Sequence, residues 1–434
     1  MTGAVLLPYF SVLQAHAPLR WRGRVTQVVG NLVESAGPPC SLGECCELRD
    51  AAGHVYAGEV VGFRGTTVLT MPLEKPSGLR YGDTIVALGV RPSLPVGDEL
   101  LGRVLDGLGR PLDGKACISS GRRALDGAAP PALERLPIRE PLGCGIRAID
   151  AFLTCGRGQR LGIFGGSGVG KSTLIGMMAR GTSADLTVLA LVGERGREVG
   201  EFLESLGEQG RRRSVVVVST SDQSPLLRIR AALAATAIAE HFCKRGRNVL
   251  LVIDSLTRFA MAQREIGLAA GEPPTAKAYT PSVFSMLARV VERAGRFANG
   301  SITAFYTVLM EGDDQQDPLV DALRSLVDGH IVLDRRLASQ GHYPPISILD
   351  SLSRLMPAVA RHEHLERSRQ LRSLLSAYAR SEDLVRIGAY SKGADAELDR
   401  AIALLPELQA FLRQAPEECP AFGDTIARLN LIGC

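Results

Sequence analysis

Nine consecutive residues carry the clearest chemistry in this chain: Gly165, Gly166, Ser167, Gly168, Val169, Gly170, Lys171, Ser172 and Thr173. They satisfy G-x-x-x-x-G-K-[ST], a spacing built to hold the phosphates of a nucleotide. Glycines let the backbone curl until successive N–H groups face one anion, and a following helix N-terminus adds partial positive charge. Lys171 is placed to reach the β- and γ-phosphates, and the Ser172 hydroxyl to ligate Mg²⁺. Lysine is scarce here, six of 50 basic residues, so Lys171 is not background. A Gly-rich turn that matches by accident is the competing reading, and the flanks argue against it. Arg160 to Phe164 is short and apolar, as a buried strand should be, and Ser172 to Arg180 has helical composition.

Two carboxylates could complete such a site. Asn248-Val-Leu-Leu-Val-Ile-Asp254 is an apolar strand ending in an acid, 83 residues after Lys171. An aspartate there holds the Mg²⁺ shell opposite the Ser172 hydroxyl; its bland alternative is a helix cap or a surface acid. Val192-Gly-Glu-Arg-Gly-Arg-Glu198 also follows an apolar strand. Glu194 at that strand's carboxyl end would face the crevice where α/β sheets bind ligands, and could orient and polarise an attacking water. Arg195 could steady the γ-phosphate or Glu194 itself. An exposed salt-bridge cluster explains the same spacing equally well.

The elements expected to position these groups make three domains. Residues 1–92 read as a small β-barrel, with strand candidates Arg24–Val29, His54–Val61, Thr66–Thr70 and Asp83–Leu88 punctuated by Gly and Pro. Residues 93–357 open on a Pro- and Gly-rich link and continue as an α/β nucleotide domain. Its apolar strands, Leu186–Val192, Ser214–Ser219, Asn248–Ile253, Ser301–Val308 and His330–Leu333, alternate with helical stretches. Near-continuous apolarity implies burial on both faces, hence a mainly parallel sheet covered by helices. Residues 358–434 read as helical, with Leu371, Leu374, Leu375 and Tyr378 at i, i+3, i+4 and i+7.

Bulk composition narrows the function. With 434 residues, 45% of them hydrophobic, and a net charge of +4, the chain suits a multidomain globular protein and leaves no nucleic-acid footprint. Arg211-Arg-Arg213 reads as a solvated turn before a strand. Nine cysteines form no C-x-x-C, and no His lies at ligand spacing from them, so reduced thiols are expected. No apolar run approaches the roughly 20 residues of a membrane span. Ala4-Val-Leu-Leu-Pro-Tyr-Phe10 lacks a basic start and carries Pro8, so it is not read as a signal peptide. The expected location is the cytoplasm.

Taken together, the motifs resemble a family. Gly165 to Thr173, Gly193 to Val199, Leu251-Val-Ile-Asp-Ser-Leu-Thr-Arg-Phe259, Arg264 to Pro274, Pro281-Ser-Val-Phe284, Glu311-Gly-Asp-Asp314 and Asp328 to Leu333 are similar to the rotary-type ATPases of flagellar and injectisome type III export. These are related to the catalytic β subunit of F-type ATP synthase, and the resemblance runs from about residue 20 to 414. It implies a RecA-like ATPase domain, Glu194 as catalytic carboxylate with Arg195 beside it, and Lys171 and Asp254 in the catalytic site. Tyr343 is implied to stack on adenine, Arg354 to act as an arginine finger in the next subunit's site, and Phe411 to close the adenine pocket. ATP with Mg²⁺ is the implied substrate complex, and a homohexameric ring the implied assembly. Implied partners are a stator-like regulator, a central stalk, an export gate and chaperone–substrate complexes, at the inner face of the cell membrane. Arg386 to Asp395 stands where the synthase β subunit carries an acidic helical motif, which favours the export group. Ser347 and Thr280 depart from that group's usual Asp and Pro, both outside the phosphate contacts. Val60–Gly65 and Leu69–Leu73 lean toward the flagellar form over the injectisome.

Two unlike functions compete. A termination-helicase-like nucleic-acid translocase would need stacking aromatics among basic residues in the barrel, whereas Tyr56, Phe63 and Tyr81 are isolated. A non-catalytic regulatory subunit is disfavoured by intact Lys171, Glu194 and Asp254.

Overall fold

The computed structural model describes residues 20–116, 119–310 and 317–433, which fall into two compact units. The stretches Ala4–Phe10 and Glu311–Asp314 lie outside the described residues.

The first unit is the barrel. Strands β1 (Arg22–Val29), β2 (Leu32–Ala36), β3 (Cys45–Arg49), β4 (Val55–Arg64), β5 (Thr67–Pro72) and β6 (Thr84–Ala87) pair antiparallel and close in the order β1-β2-β5-β4-β3-β6. Alternation sends Val25, Val33, Cys46, Leu48 and Ile85 inward, and closure leaves no unpaired sheet edge. A Cβ on Gly23 would stand 2.2 Å from the Gly37 carbonyl carbon, so this crossing admits only glycine. β2 and β3 are not among the strands expected from the sequence. β2 follows the two-residue turn Gly30-Asn31, with Gly30 at φ +58°, a hairpin signal in its own right; β3 is short and mostly polar.

The second unit is built on one large sheet. It comprises β7 (Val104–Asp106), β8 (Arg160–Gly165), β9 (Leu186–Glu194), β10 (Ser214–Thr220), β11 (Asn248–Asp254), β12 (Ser301–Leu309), β13 (Gly329–Leu333) and β14 (Ile346–Ser353), with a short strand Gly295–Arg296 beside β12. The order is β14-β13-β8-β12-β11-β9-β10-β7. Pairing along it is parallel except at β14, which runs antiparallel to β13. The first eight residues of β9 and of β12 are all buried, the two-sided cover that their apolar runs require. Helices α1 (Arg147–Phe152), α2 (Lys171–Gly181), α3 (Gly196–Ser205), α4 (Pro225–Lys244), α5 (Leu256–Ala270), α6 (Pro281–Val291) and α7 (Pro318–Leu326) connect the strands.

The C-terminal helices are α8 (His362–Arg386), α9 (Ala396–Leu412) and α10 (Phe422–Leu431). Leu371 and Leu374 are buried and Leu375 and Tyr378 pack beside them, in one core with Ile149, Phe152 and Leu174. Buried Arg147 on α1 locks this junction, donating to the Phe411 carbonyl at 2.7 Å and to Glu418 and the Arg413 carbonyl. Because that core is continuous, the helical domain and the nucleotide domain form one compact unit. No helix among the described residues is long and apolar enough to cross a membrane. Arg211 and Arg212 end a short helix, and Arg213 donates to the carbonyls of Thr182 and Ala184.

Candidate functional site

β8 ends at Gly165, where a Cβ would sit 3.0 Å from the Leu333 Cβ and 3.1 Å from a Val169 methyl. Gly168 and Gly170 hold φ of +77° and +93°, left-handed values that side chains resist. These glycines wrap the loop so that α2 starts at Lys171. Gly166 and Val169 are buried, while Ser167, Gly168, Ser172 and Thr173 face outward at the loop and the first helical turn. The Lys171 ammonium is buried and donates to the carbonyls of Gly165 at 3.1 Å and Gly166 at 2.5 Å. Burial lowers its pKa, against the pull of Asp254 and Glu194.

β12 lies next to β8, β11 next to β12, and β9 next to β11, all parallel, so their carboxyl ends share one sheet edge with the loop. Asp254 ends β11, fully buried, and accepts from the Thr307 hydroxyl at 2.6 Å. Burial raises its pKa, offset in part by Thr307 and by the Lys171 charge. Glu194 ends β9, and burial pushes its pKa up to about 7, with further upward pressure from the Asp254 charge and from Glu198. This edge therefore gathers a lysine and two carboxylates in poor solvation, the condition under which titratable groups become reactive.

Several residues here escape a reading of the sequence. Arg258, one turn into α5, acts electrostatically on Lys171, Glu194 and Asp254 alike. Its Nε is buried without a hydrogen-bond partner. Gly193 makes room for it: a Cβ there would meet Arg258 Cβ at 3.0 Å. Glu198, in the first turn of α3, hydrogen-bonds Glu194 and pairs with Arg195 at 3.6 Å. Arg258 and Glu198 lie in motif strings already singled out, but spacing gives them no role. Arg195 caps α3 and is exposed, its charge turned to Glu198.

Tyr343 precedes β14, whose first residue pairs with Leu333 at the end of β13, so it belongs to the same edge as the loop. It is 49% exposed, and its carbonyl accepts from the Gln414 backbone N–H at 2.8 Å. Phe411 is buried edge-on against Phe152, with centroids 6.4 Å apart, as part of the core. Arg354 stands elsewhere. β14 runs back across the sheet, and the Arg354 N–H reaches the carbonyl of Asp328, whose own N–H bonds Arg160 at the start of β8. Five residues of strand separate Arg160 from Gly165, about 17 Å at the usual strand rise. An arginine side chain does not span that distance. Arg354 is exposed and has no ion pair among the described residues.

Clefts of about 550 and 500 Å³ flank the loop edge, one lined by Ser172, Thr173, Glu198 and Phe202, the other by Leu333, Asp334, Arg335 and Asp350. A cavity of about 910 Å³ opens at the opposite edge beside the start of β12. Among the described residues no cluster of three or more His, Cys, Asp or Glu could cage a metal. Ser172 and Asp254 instead offer hard oxygen donors from two elements, a donor set that fits Mg²⁺ bound mainly through phosphate and water oxygens.

Fold and site define a P-loop nucleotide-binding protein, with the phosphate loop at the carboxyl edge of a parallel sheet and acids on neighbouring strand ends. The ATP synthase alpha/beta family matches twice, through its nucleotide-binding domain at residues 145–353 and its beta-barrel domain at 25–89. The T3SS EscN ATPase C-terminal domain matches 360–431. The chain is 50% identical over 412 residues to the flagellum-specific ATP synthase of Bacillus subtilis (94% of each chain), and 51% identical over 436 residues to that of Treponema pallidum (100% and 97%). It is 50% identical over 400 residues to the SPI-2 type 3 secretion system ATPase of Salmonella typhimurium (92% of each). The assembled ATPase EscN from the enteropathogenic E. coli type III secretion system superposes with a TM-score of 0.90 at 43% identity, covering 94% of this chain and 99% of that one. EscN in complex with its central stalk EscO gives 0.87, with the same identity and coverage. The chain belongs to the ATP synthase alpha/beta family, in its type III export branch.

Proposed function

We propose that this chain is an ATP hydrolase of type III protein export, in the flagellar apparatus, working as a homohexameric ring that readies export substrates. The observation that carries the ring is the division of charges between sheet edges. Lys171, Glu194 and Asp254 stand at one edge and Arg354 at the other, so one copy supplies both halves of a site but cannot join them. A neighbouring copy can.

In this reading Gly165–Thr173 cradles the phosphates and Lys171 leaves its two carbonyls for the β- and γ-phosphate oxygens. Glu194 orients the attacking water and takes its proton, and Arg195 turns from Glu198 to the phosphate site. Ser172 and Asp254 would hold Mg²⁺, which would supply neutralising charge to the phosphates. Tyr343 stacks on the adenine. The neighbour's copy of Arg354 stabilises charge developing on the transferring phosphate, an effect of roughly 10³- to 10⁵-fold in rate. Functional divisions at 1–92, 93–357 and 358–434 are supported by the three family matches. A stalk, a stator-like regulator, an export gate and chaperone–substrate complexes are the proposed partners, in the cytoplasm at the inner face of the membrane. The similarity to EscN bound to its central stalk EscO supports the first of these. Service in an injectisome is the second reading, favoured by the 50% identity to the SPI-2 ATPase.

The test is ATPase rate per chain across a wide dilution series, for wild type and Arg354→Ala. Specific activity should climb with concentration in wild type and stay low in the variant. A flat, high rate shared by both would place the complete site in one chain and remove the ring.

A further inference from the structure

At the amino edge of the sheet, away from the phosphate loop, lies the cavity of about 910 Å³, a size suited to a small molecule. Its wall is apolar, with Pro130, Pro131, Leu133, Leu136, Phe297 and Ile302. Leu133 is 98% exposed at the rim, an apolar side chain with nothing over it.

The charged groups facing this cavity do not balance. Arg293, 1% exposed, donates through Nε to Glu240 at 2.6 Å and through Nη1 to the Leu125 carbonyl at 2.8 Å. Arg123 donates to the other Glu240 oxygen through Nε at 3.1 Å and Nη2 at 2.5 Å. Two guanidiniums thus share one carboxylate. Burial would raise the Glu240 pKa, but Arg293 and Arg123 hold it below its usual range, so it stays ionised. Burial pushes the Cys243 thiol up to about 11, leaving it neutral. Lys244 and Glu134, also in the lining and both exposed, add one charge of each sign. One positive charge is left over beside an apolar wall. The Arg293 Nη2 is buried with no acceptor, an omission that costs heavily for a charged donor. It lies beside Gly127 in the cavity lining, where a Cβ would stand 3.1 Å from it, so only the absence of a side chain at this position keeps the guanidinium from being covered on the cavity side.

We propose that this cavity binds a monocarboxylate with an apolar body, its carboxylate accepting from Arg293 Nη2 and its body lying on the proline- and leucine-lined wall. The surplus is one charge, which suits a monoanion better than a phosphate dianion.

The experiment uses the full chain and fluorescence of dansyl-labelled undecanoate, with decanoate, decanol, decyl phosphate and ATP as competitors. Saturable binding at one site per chain is expected. Decanoate should displace the probe, decanol should be weaker by roughly 10- to 100-fold for want of the charged hydrogen bond, and decyl phosphate weaker than decanoate. ATP should not displace it. Gly127→Val should abolish binding by filling the space before Nη2. Leu133→Asp, at a fully exposed position that leaves the fold intact, should weaken it by placing a negative charge at the rim. Absence of saturable binding, equal competition by decanol, displacement by ATP, or wild-type affinity in Leu133→Asp would each overturn the proposal.

Discussion

The two edges of the central sheet treat charge in opposite ways. At the amino edge, ions are compensated: Arg160 pairs with Glu292 at 2.6 Å and Asp328 at 3.1 Å, and Glu240 takes both Arg123 and Arg293. At the carboxyl edge, Lys171, Asp254 and Glu194 are withdrawn from water, with no partner of opposite charge in contact among the described residues. Lys171 rests on two carbonyls, Asp254 on a threonine hydroxyl, and Glu194 on another acid. The same backbone scaffold thus stabilises the fold at one edge and holds poorly solvated reactive groups at the other. The exceptions at the amino edge, exposed Arg354 and the spare Nη2 of Arg293, are where something outside the chain is expected to dock.

The sharpest way to break this contrast is to separate the two half-sites. Glu194→Gln should lower kcat by roughly 10²- to 10⁴-fold, the usual worth of a general base, while nucleotide binding persists. Mixing it in equal amounts with Arg354→Ala should restore activity, because a random ring would contain about a quarter of interfaces with both groups intact. A mixture no faster than its components would show that the edges do not meet across subunits.

Stability should follow the other edge. Glu240→Ala leaves buried Arg293 and half-buried Arg123 without their anion and should destabilise the fold by about 3–5 kcal/mol, as buried pairs do on losing a partner. Its denaturant midpoint should fall while turnover per folded chain holds. Lys171→Met is the mirror case: it removes a desolvated charge, so the midpoint should hold or rise while ATPase activity is lost. Loss of stability in Lys171→Met would mean that the lysine is structural, and the contrast would fail.

The phosphate loop is legible because its chemistry is local: glycines, one lysine and a hydroxyl within nine residues. Asp254 and Glu194 can be placed because each ends an apolar strand, and a parallel sheet sends all such ends to one edge. What cannot be read is anything set by strand direction. β14, half of whose eight residues are polar, is not among the strands expected from the sequence, and only its antiparallel course carries Arg354 to the far edge. Arg258 is hidden for a related reason, since its approach to Glu194 depends on Gly193 yielding space. In the barrel, β3 escapes because alternation over five mostly polar residues is a weak signal. Phe411, which the family resemblance makes a pocket wall, packs edge-on against Phe152, a contact that no periodicity in its amphipathic helix announces.

The smallest effect concerns the acid limb of the pH–rate profile. A general base must be ionised, so kcat/KM should rise with pH through about 7, where Glu194 titrates in the free enzyme. Burial sets most of that value, and Glu198 adds to it by charge and by a hydrogen bond that favours the protonated form. Glu198→Gln removes the charge, so Glu194 should lose its proton more readily and the limb should move to lower pH. The plateau rate should stay near wild type, because Glu198 holds no proton the reaction transfers. Asp254→Asn would move the limb in the same direction by removing a second negative charge, but would also lower the plateau through the phosphate shell. A limb that stays in place in Glu198→Gln would mean that burial and the Asp254 charge tune Glu194 without it; a collapsed plateau would move Glu198 from tuning the base into the reaction.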